Sequence, residues 1–315
     1  MANAQNNKST AFIHWTSAHN YTTKLNYDGR GMELSDLKYY NGKLLAVDDK
    51  TGVIFRLDGK KAIPWAILSQ GDSTVEGFFK GEWFTVKDGN LYCGSNGKEW
   101  TTPTGEYVND NPMYVKRISP EGGVEVEDWV QRYITLRAAI DIHFPGYIIH
   151  EAVQWSDLHK VNNEGSLCTI SMKFCKWFFL PRHLSKYAYN DETAQKMGTL
   201  HFLVALLVLK AMHAMHLRTN VLLIASDDMK EINAVSIGQE VATRGFSAFQ
   251  FVPGTDDSII VALKTEEVDG KPLSSYIMVF SITGNVILDE TRIPENYKYE
   301  GIEFLYEEVL KNLIA

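Results

Sequence analysis

Gly29-Arg30-Gly31-Met32-Glu33-Leu34-Ser35-Asp36-Leu37 packs two carboxylates and a hydroxyl into four consecutive residues at the start of a strand-like run. Carboxylates grouped in this way can bind a hard cation or take a proton from water. A second acidic strand start, Glu82-Trp83-Phe84-Thr85-Val86, follows 47 residues after Ser35. The same offset separates the turn glycines Gly42 and Gly89 in Asn41-Gly42-Lys43-Leu44 and Asp88-Gly89-Asn90-Leu91. A fixed period of this size signals a repeat architecture, and each unit here reads as strands and turns.

Further strand starts centre on Glu151, Ser247 and Glu300. In a β-propeller the first strand of each blade lines the central channel. Ser35, Glu82, Glu151, Ser247 and Glu300 would then point at a common axis. Three carboxylates and two hydroxyls make an all-oxygen cage, which suits Ca²⁺ better than Mg²⁺ or Zn²⁺. Taken singly, each glutamate is more often a solvated strand-end acid. The shared position within the repeat favours the ring.

The positioning elements are short strands. Residues 32–57 read as Met32–Leu37, Lys43–Val47 and Val53–Leu57, with Ala62–Leu68 as a fourth strand; four strands in about 40 residues is blade-sized. In the second unit Glu82–Val86, Asn90–Cys93 and Lys98–Thr102 are expected as strands, followed by Val115–Ile118 and Val124–Glu127. Trp129, Tyr133, Leu136 and Ile140 fall at helical spacing. Ile148–Val153 should pair with Lys176–Pro181. Strands recur at Asn220–Ala225, Ala234–Ile237, Gly245–Val252 and Ser258–Leu263, with a hairpin of Ser275–Ser281 and Asn285–Leu288, and a terminal helix over Glu307–Leu313. The expected fold is all-β.

Composition narrows the function classes. The 315 residues are 45% hydrophobic and carry a net charge of −8. Such a chain can build a large core and is repelled by nucleic-acid phosphates. Three cysteines (Cys93, Cys168, Cys175) make no disulfide framework, although a Cys168–Cys175 bridge is conceivable. The apolar part of Leu200–Leu209 is too short for a membrane span. The chain shows no signal peptide of its own, and Asn7-Lys8-Ser9 and Asn20-Tyr21-Thr22 are glycosylation sequons. His150 adjoins a ring residue but reads as a packed histidine, and His213 and His216 lack a supporting carboxylate.

The segments GRGMELSDL, NGKLLAVDDKTGVIFRL, GEWFTVKDGNLYCGSNGKEWTT, PGYIIHEAVQWSD, KWFFLPR, RGFSAFQFVPGTDDSIIVALKTEE and KYEGIEF occur in this order. Together they resemble the calcium-activated nucleotidase (apyrase) family. The resemblance implies a five-bladed β-propeller with a central Ca²⁺ that hydrolyses nucleoside di- and triphosphates (UDP, GDP, ADP or ATP) to the monophosphate and phosphate. It places calcium ligands on the same five residues, joined by Asp36. It also places Glu33, Asp49, Lys98 and Glu99 in or beside the nucleotide cleft. Glu33, Asp36 or Asp49 could then orient or deprotonate water, and Arg30 and Lys98 could neutralise phosphate. Trp83 or Trp100 could stack on a base, although either is more often a blade-packing aromatic. The family works in the secretory pathway or outside the cell, and a homodimer is compatible with the sequence.

Departures from the family pattern are also expected. Residues 1–28 do not match its Asp-rich strand, so they read as a divergent arm or partial blade ahead of a propeller domain over 29–315, with an incomplete first blade. Residues 161–174 and 199–218 read as non-family insertions, either untranslated sequence or surface excursions. A catalytically impaired calcium- or nucleotide-binding module is the competing reading.

Overall fold

Asn41-Gly42 and Asp88-Gly89 adopt positive φ at both residues, which matches the twist of two tightly joined antiparallel strands. Turns of this kind fold the chain into antiparallel meanders. The structure is a computed structural model that describes residues 20–158, 176–190, 220–268 and 271–305, together with Ile13.

The first sheet contains β1 (Leu34–Tyr40), β2 (Lys43–Asp48), β3 (Val53–Asp58) and β4 (Lys61–Ile67), in that spatial order. The second begins with β5 (Trp83–Lys87) and β6 (Asn90–Gly94). The chain then leaves the sheet to form a separate hairpin, β7 (Trp100–Thr101) with β8 (Tyr107–Asn109). It returns as β9 (Tyr114–Ile118) and β10 (Val124–Asp128). Lys98–Thr102 is therefore not the third strand of this blade, because β6 pairs with β9 instead. The departure is set at Gly97, whose φ of +71° no L side chain adopts easily. Helix α1 (Val130–Ala138) follows and buries Tyr133 and Leu136, as the helical spacing predicts.

The third sheet comprises β11 (Tyr147–Ser156), β12 (Lys176–Ser185), β13 (Val221–Ser226) and β14 (Ile232–Ser236). The fourth comprises β15 (Arg244–Phe251), β16 (Ile259–Val268), β17 (Lys271–Ser281) and β18 (Val286–Arg292). The predicted pairing of Ile148–Val153 with Lys176–Pro181 is the β11–β12 ladder.

The first strands of the sheets are neighbours in sequence order: β1 lies beside β5, β5 beside β11 and β11 beside β15. Residues 298–305, which form no strand, lie between β15 and β1. Ser247 Oγ donates to the Tyr299 carbonyl at 2.8 Å, and Glu303 accepts the Tyr39 N–H at 3.0 Å. Gly301 packs so closely that a Cβ there would sit 2.8 Å from the Leu37 nitrogen. The result is an all-β propeller arrangement of four four-stranded sheets among the described residues.

The core lies between sheets. Trp83, Trp129, Trp155 and Trp177 pack together between the second and third, with Trp129 and Trp177 rings 4.8 Å apart. A Cβ on Gly94 would lie 2.0 Å from the Trp83 ring, so only glycine fits beside it. Cys93 is buried as a free thiol. Residues 161–174 and 199–218, the Cys168–Cys175 pairing, His213 and His216, the helix expected over Glu307–Leu313 and most of the 1–28 arm lie outside the described residues.

Candidate active site

Ser35, Glu151 and Ser247 occupy equivalent irregularities on three inner strands. The β1–β2 register slips between Leu34 and Asp36, the β11–β12 register between His150 and Ala152, and the β15–β16 register between Phe246 and Ala248. In each case the ring residue is the one left out of the ladder. A β-bulge kinks its strand and re-aims a side chain. Glu82 directly precedes β5, with its N–H bonded to the Gly94 carbonyl at 2.8 Å. Glu300 lies in the 298–305 segment.

The three glutamates are electrostatically linked. Burial first, then Glu151 and Asp49, push Glu82 up to about 7 against the pull of Lys80. Burial and the neighbouring Glu300 raise Glu151, and burial and Glu82 raise Glu300. Each has a cationic partner. Lys80 pairs with Glu82 and stands 3.0 Å from Asp49 Oδ2. Arg182 is 2.9 Å from Glu151 and 2.7 Å from Glu267. Lys298 is 2.5 Å from Glu300 and 3.0 Å from Glu267.

Among the described residues no three carboxylate, histidine or cysteine side chains are gathered as a metal group, because the ring carboxylates turn toward these cations. The donor set nevertheless fits a hard divalent ion. It is all oxygen, and its carboxylates destabilise one another when ionised. Asp49 Oδ1, buried beside Lys80, has no hydrogen-bond partner.

A cleft of about 520 Å³ opens over Glu82 and Glu151, within the size range of small-molecule sites. Lys80, Lys98, Trp100 and Tyr189 also line it. Lys98 Nζ donates to the Glu99 carbonyl at 3.0 Å and lies 4.4 Å from the centre of the Tyr189 ring. Trp100 is 46% exposed, whereas Trp83 is fully buried with its Nε1–H on the Ser95 carbonyl. Base stacking is therefore closed to Trp83 and open to Trp100.

Other expected site residues are placed apart from the glutamates. Asp36 accepts the backbone N–H groups of Leu37 at 2.8 Å and Phe84 at 2.7 Å, one on each oxygen, and so clamps β1 to β5. Burial raises its pKa well above the carboxylate range. Glu99 is held by Arg137 of α1 through two bonds of 2.6 and 2.7 Å, both side chains being buried. Arg30 and Glu33 form an exposed ion pair, and the Glu33 carbonyl accepts the Asp49 N–H at 3.0 Å. That bond brings the pair to the Asp49 side of the site. His150 is packed against Tyr133, and burial pulls its pKa down to about 3.

Lys80, Lys298, Arg182 and Tyr189 were not legible as site residues. Two carried a signal: Lys80-Gly81-Glu82 and Lys298-Tyr299-Glu300 share a Lys-x-Glu spacing, which puts both side chains on one side of an extended chain. Arg182 arrives from β12 and has no such local sign.

The apyrase family model matches residues 1–219 and 210–305. This chain belongs to the apyrase family. The first matched segment begins at residue 1 and includes the 1–28 arm, and the two segments meet within the 199–218 stretch. Apyrase apy-1 of Caenorhabditis elegans is 46% identical over 297 residues, covering 93% of this chain and 74% of that protein. Soluble calcium-activated nucleotidase 1 of Rattus norvegicus is 47% identical over 277 residues, 88% of this chain and 60% of that protein. An apyrase of Cimex lectularius is 40% identical over 90% of this chain and 68% of its own length. The chain thus spans between 60% and 74% of the lengths of these relatives. Among solved structures, a Synechocystis apocarotenoid oxygenase superposes with a TM-score of 0.30 and 11% identity over 85% of this chain and 50% of its own. Among the described residues no helix is long and apolar enough to cross a membrane.

Proposed function

We propose that this apyrase-family chain is a calcium-dependent hydrolase of nucleoside di- and triphosphates of the UDP, GDP, ADP and ATP type, releasing phosphate and the monophosphate. One observation carries the reading: a nucleotide-sized cleft has the carboxylates of Glu82 and Glu151 in its lining together with two lysines and an exposed tryptophan.

Glu82, Glu151 and Glu300, with the hydroxyls of Ser35 and Ser247, would hold the ion, and Lys80, Arg182 and Lys298 would yield the carboxylates to it. When bound, calcium offsets the charge that develops on phosphoryl oxygens as water attacks. Lys98 faces the phosphates from the cleft wall, and Trp100 offers a face to the base. The unpaired Oδ1 of Asp49, buried beside Lys80, is assigned as the acceptor for a proton from water. Asp36 is not used, since both its oxygens hold backbone N–H groups. Arg30 and Glu33 supply an exposed charge pair on the Asp49 side.

The same reading takes the propeller as five-bladed, with residues 298–305 and 20–33 contributing to the remaining blade. It also places the protein in the secretory route, consistent with the exposed Asn20 of its sequon.

The test is phosphate release from UDP, GDP, ADP and ATP in millimolar calcium and in EGTA. Calcium-dependent turnover is expected. Equal background release in both conditions would overturn the enzyme reading in favour of a binding module.

A further inference from the structure

A second polar tier lies in the channel, beyond the ring. Lys38, Thr85, Gln154, Gln250 and Glu303 each follow a ring residue by three positions: Ser35, Glu82, Glu151, Ser247 and Glu300 in turn. Along a regular strand an odd step reverses the face. The bulges at Ser35, Glu151 and Ser247 add one residue each and return Lys38, Gln154 and Gln250 to the inner side.

The tier is assembled around one ammonium. Lys38 Nζ donates to Gln154 Oε1 at 2.9 Å and to Gln250 Oε1 at 3.2 Å, and lies 3.6 Å from Glu303 Oε2. Thr85 Oγ1 donates to the same Gln154 oxygen at 3.2 Å. Thr85, Gln154 and Gln250 are more than nine-tenths buried, and Gln250 Nε2 has no hydrogen-bond partner. Two carboxamide oxygens and a carboxylate thus converge on a single positive point, and the Thr85 hydroxyl holds one of the carboxamide oxygens in place. That donor set is what a hard divalent cation selects. An ammonium is a compact, strongly hydrated point charge that can stand in the same place.

We propose that Lys38 is a tethered cation filling the lower of two oxygen-lined sites in the channel, so that its ammonium takes the place of a second divalent ion. Lys38 is then a specificity-determining residue for ion number. The ring holds the exchangeable ion, and the lower tier, about 10 Å along the strands, is closed to ions by a covalently attached charge.

The proposal rests on the calcium reading only for what occupies the ring. Its own test is a difference between variants, read by counting bound ⁴⁵Ca²⁺ per chain in equilibrium dialysis of the full chain. Lys38→Met is expected to bind one more calcium ion than the unaltered chain. Adding Glu303→Gln should remove that extra ion, because the only formal charge of the tier's oxygens is then gone. An unaltered chain that binds no calcium would sink the calcium reading alone, and the gain of one in Lys38→Met would still be required. Equal counts in Lys38→Met and the unaltered chain would overturn the proposal, as would an extra ion that survives Glu303→Gln. Lys38→Gln, which keeps a hydrogen-bonding group, is measured in parallel with circular dichroism to show folding. Failure of both single variants to fold even in millimolar calcium also overturns it, since calcium would then be no substitute for the ammonium.

Discussion

Lys298 Nζ lies 2.5 Å from Glu300 Oε1, two positions along the chain, and Lys80 pairs with Glu82 at the same spacing. The two ring carboxylates are thus neutralised from within their own short segments. Replacing Lys80 or Lys298 by Met leaves a buried carboxylate unpaired, which is strongly destabilising. Calcium would supply the missing charge. The Lys80→Met and Lys298→Met chains should melt several degrees below the unaltered protein in EGTA and recover most of the difference in calcium, by linkage. Thermal melts with and without calcium check this.

Glu151 is bulged out of the β11 ladder and held by Arg182 at 2.9 Å. Glu151→Gln keeps the shape and removes the charge. The calcium concentration for half-maximal activity should rise at least about tenfold, since losses at groups merely supporting a metal ligand already reach 10–100-fold. Titration of phosphate release against calcium measures it.

Trp100 and Trp83 separate binding from folding. Trp100→Ala should raise KM about tenfold with little change in Tm, as expected for loss of one base stack of about 1–3 kcal/mol. Trp83→Ala should instead cost about 3–5 kcal/mol of stability, because the ring is fully buried among Trp129 and Trp177. Denaturant unfolding and steady-state kinetics on both variants make the comparison.

The buried Glu99–Arg137 pair ties the segment after β6 to α1. Glu99→Ala strands a buried guanidinium and should cost about 3–5 kcal/mol. If Glu99 were a nucleotide contact, KM would move while Tm stayed. The expected result is the reverse.

Lys116 is buried, donating to the Gly71 carbonyl and to Ser73 Oγ, and burial lowers its pKa to about 8. Its unfolded value is near 10.5. Between these values the unfolded chain binds more protons, so this group's contribution to stability rises with pH. The Tm of the unaltered chain should therefore gain on that of Lys116→Met as pH rises from 8 to 10.5. Paired melts across that range test the sign.

Turn glycines and alternating strands carried much of the fold into the sequence. Asn41-Gly42 and Asp88-Gly89 announce their hairpins locally, and the first-sheet strands follow from them. Lys98–Thr102 was misread because its composition suits a strand equally well in a blade or in a side hairpin. Only competition with Tyr114–Ile118 for the edge of β6 decides between them. The 47-residue period likewise links Glu82 to Ser35 without showing which cation sits against Glu82.

The sequence by itself determined the family and the order of the sheet-starting strands, because these depend on residue type and spacing along one chain. Tertiary structure alone decided that Asp36 clamps two strands, that Glu99 belongs to Arg137, that Trp100 and not Trp83 faces the cleft, and that Lys38 gathers oxygens from three other elements. These side-chain pairings join residues between 38 and 265 positions apart (303 − 38). Which face a bulged strand presents, and which distant side chain meets it, is settled only when the sheets pack.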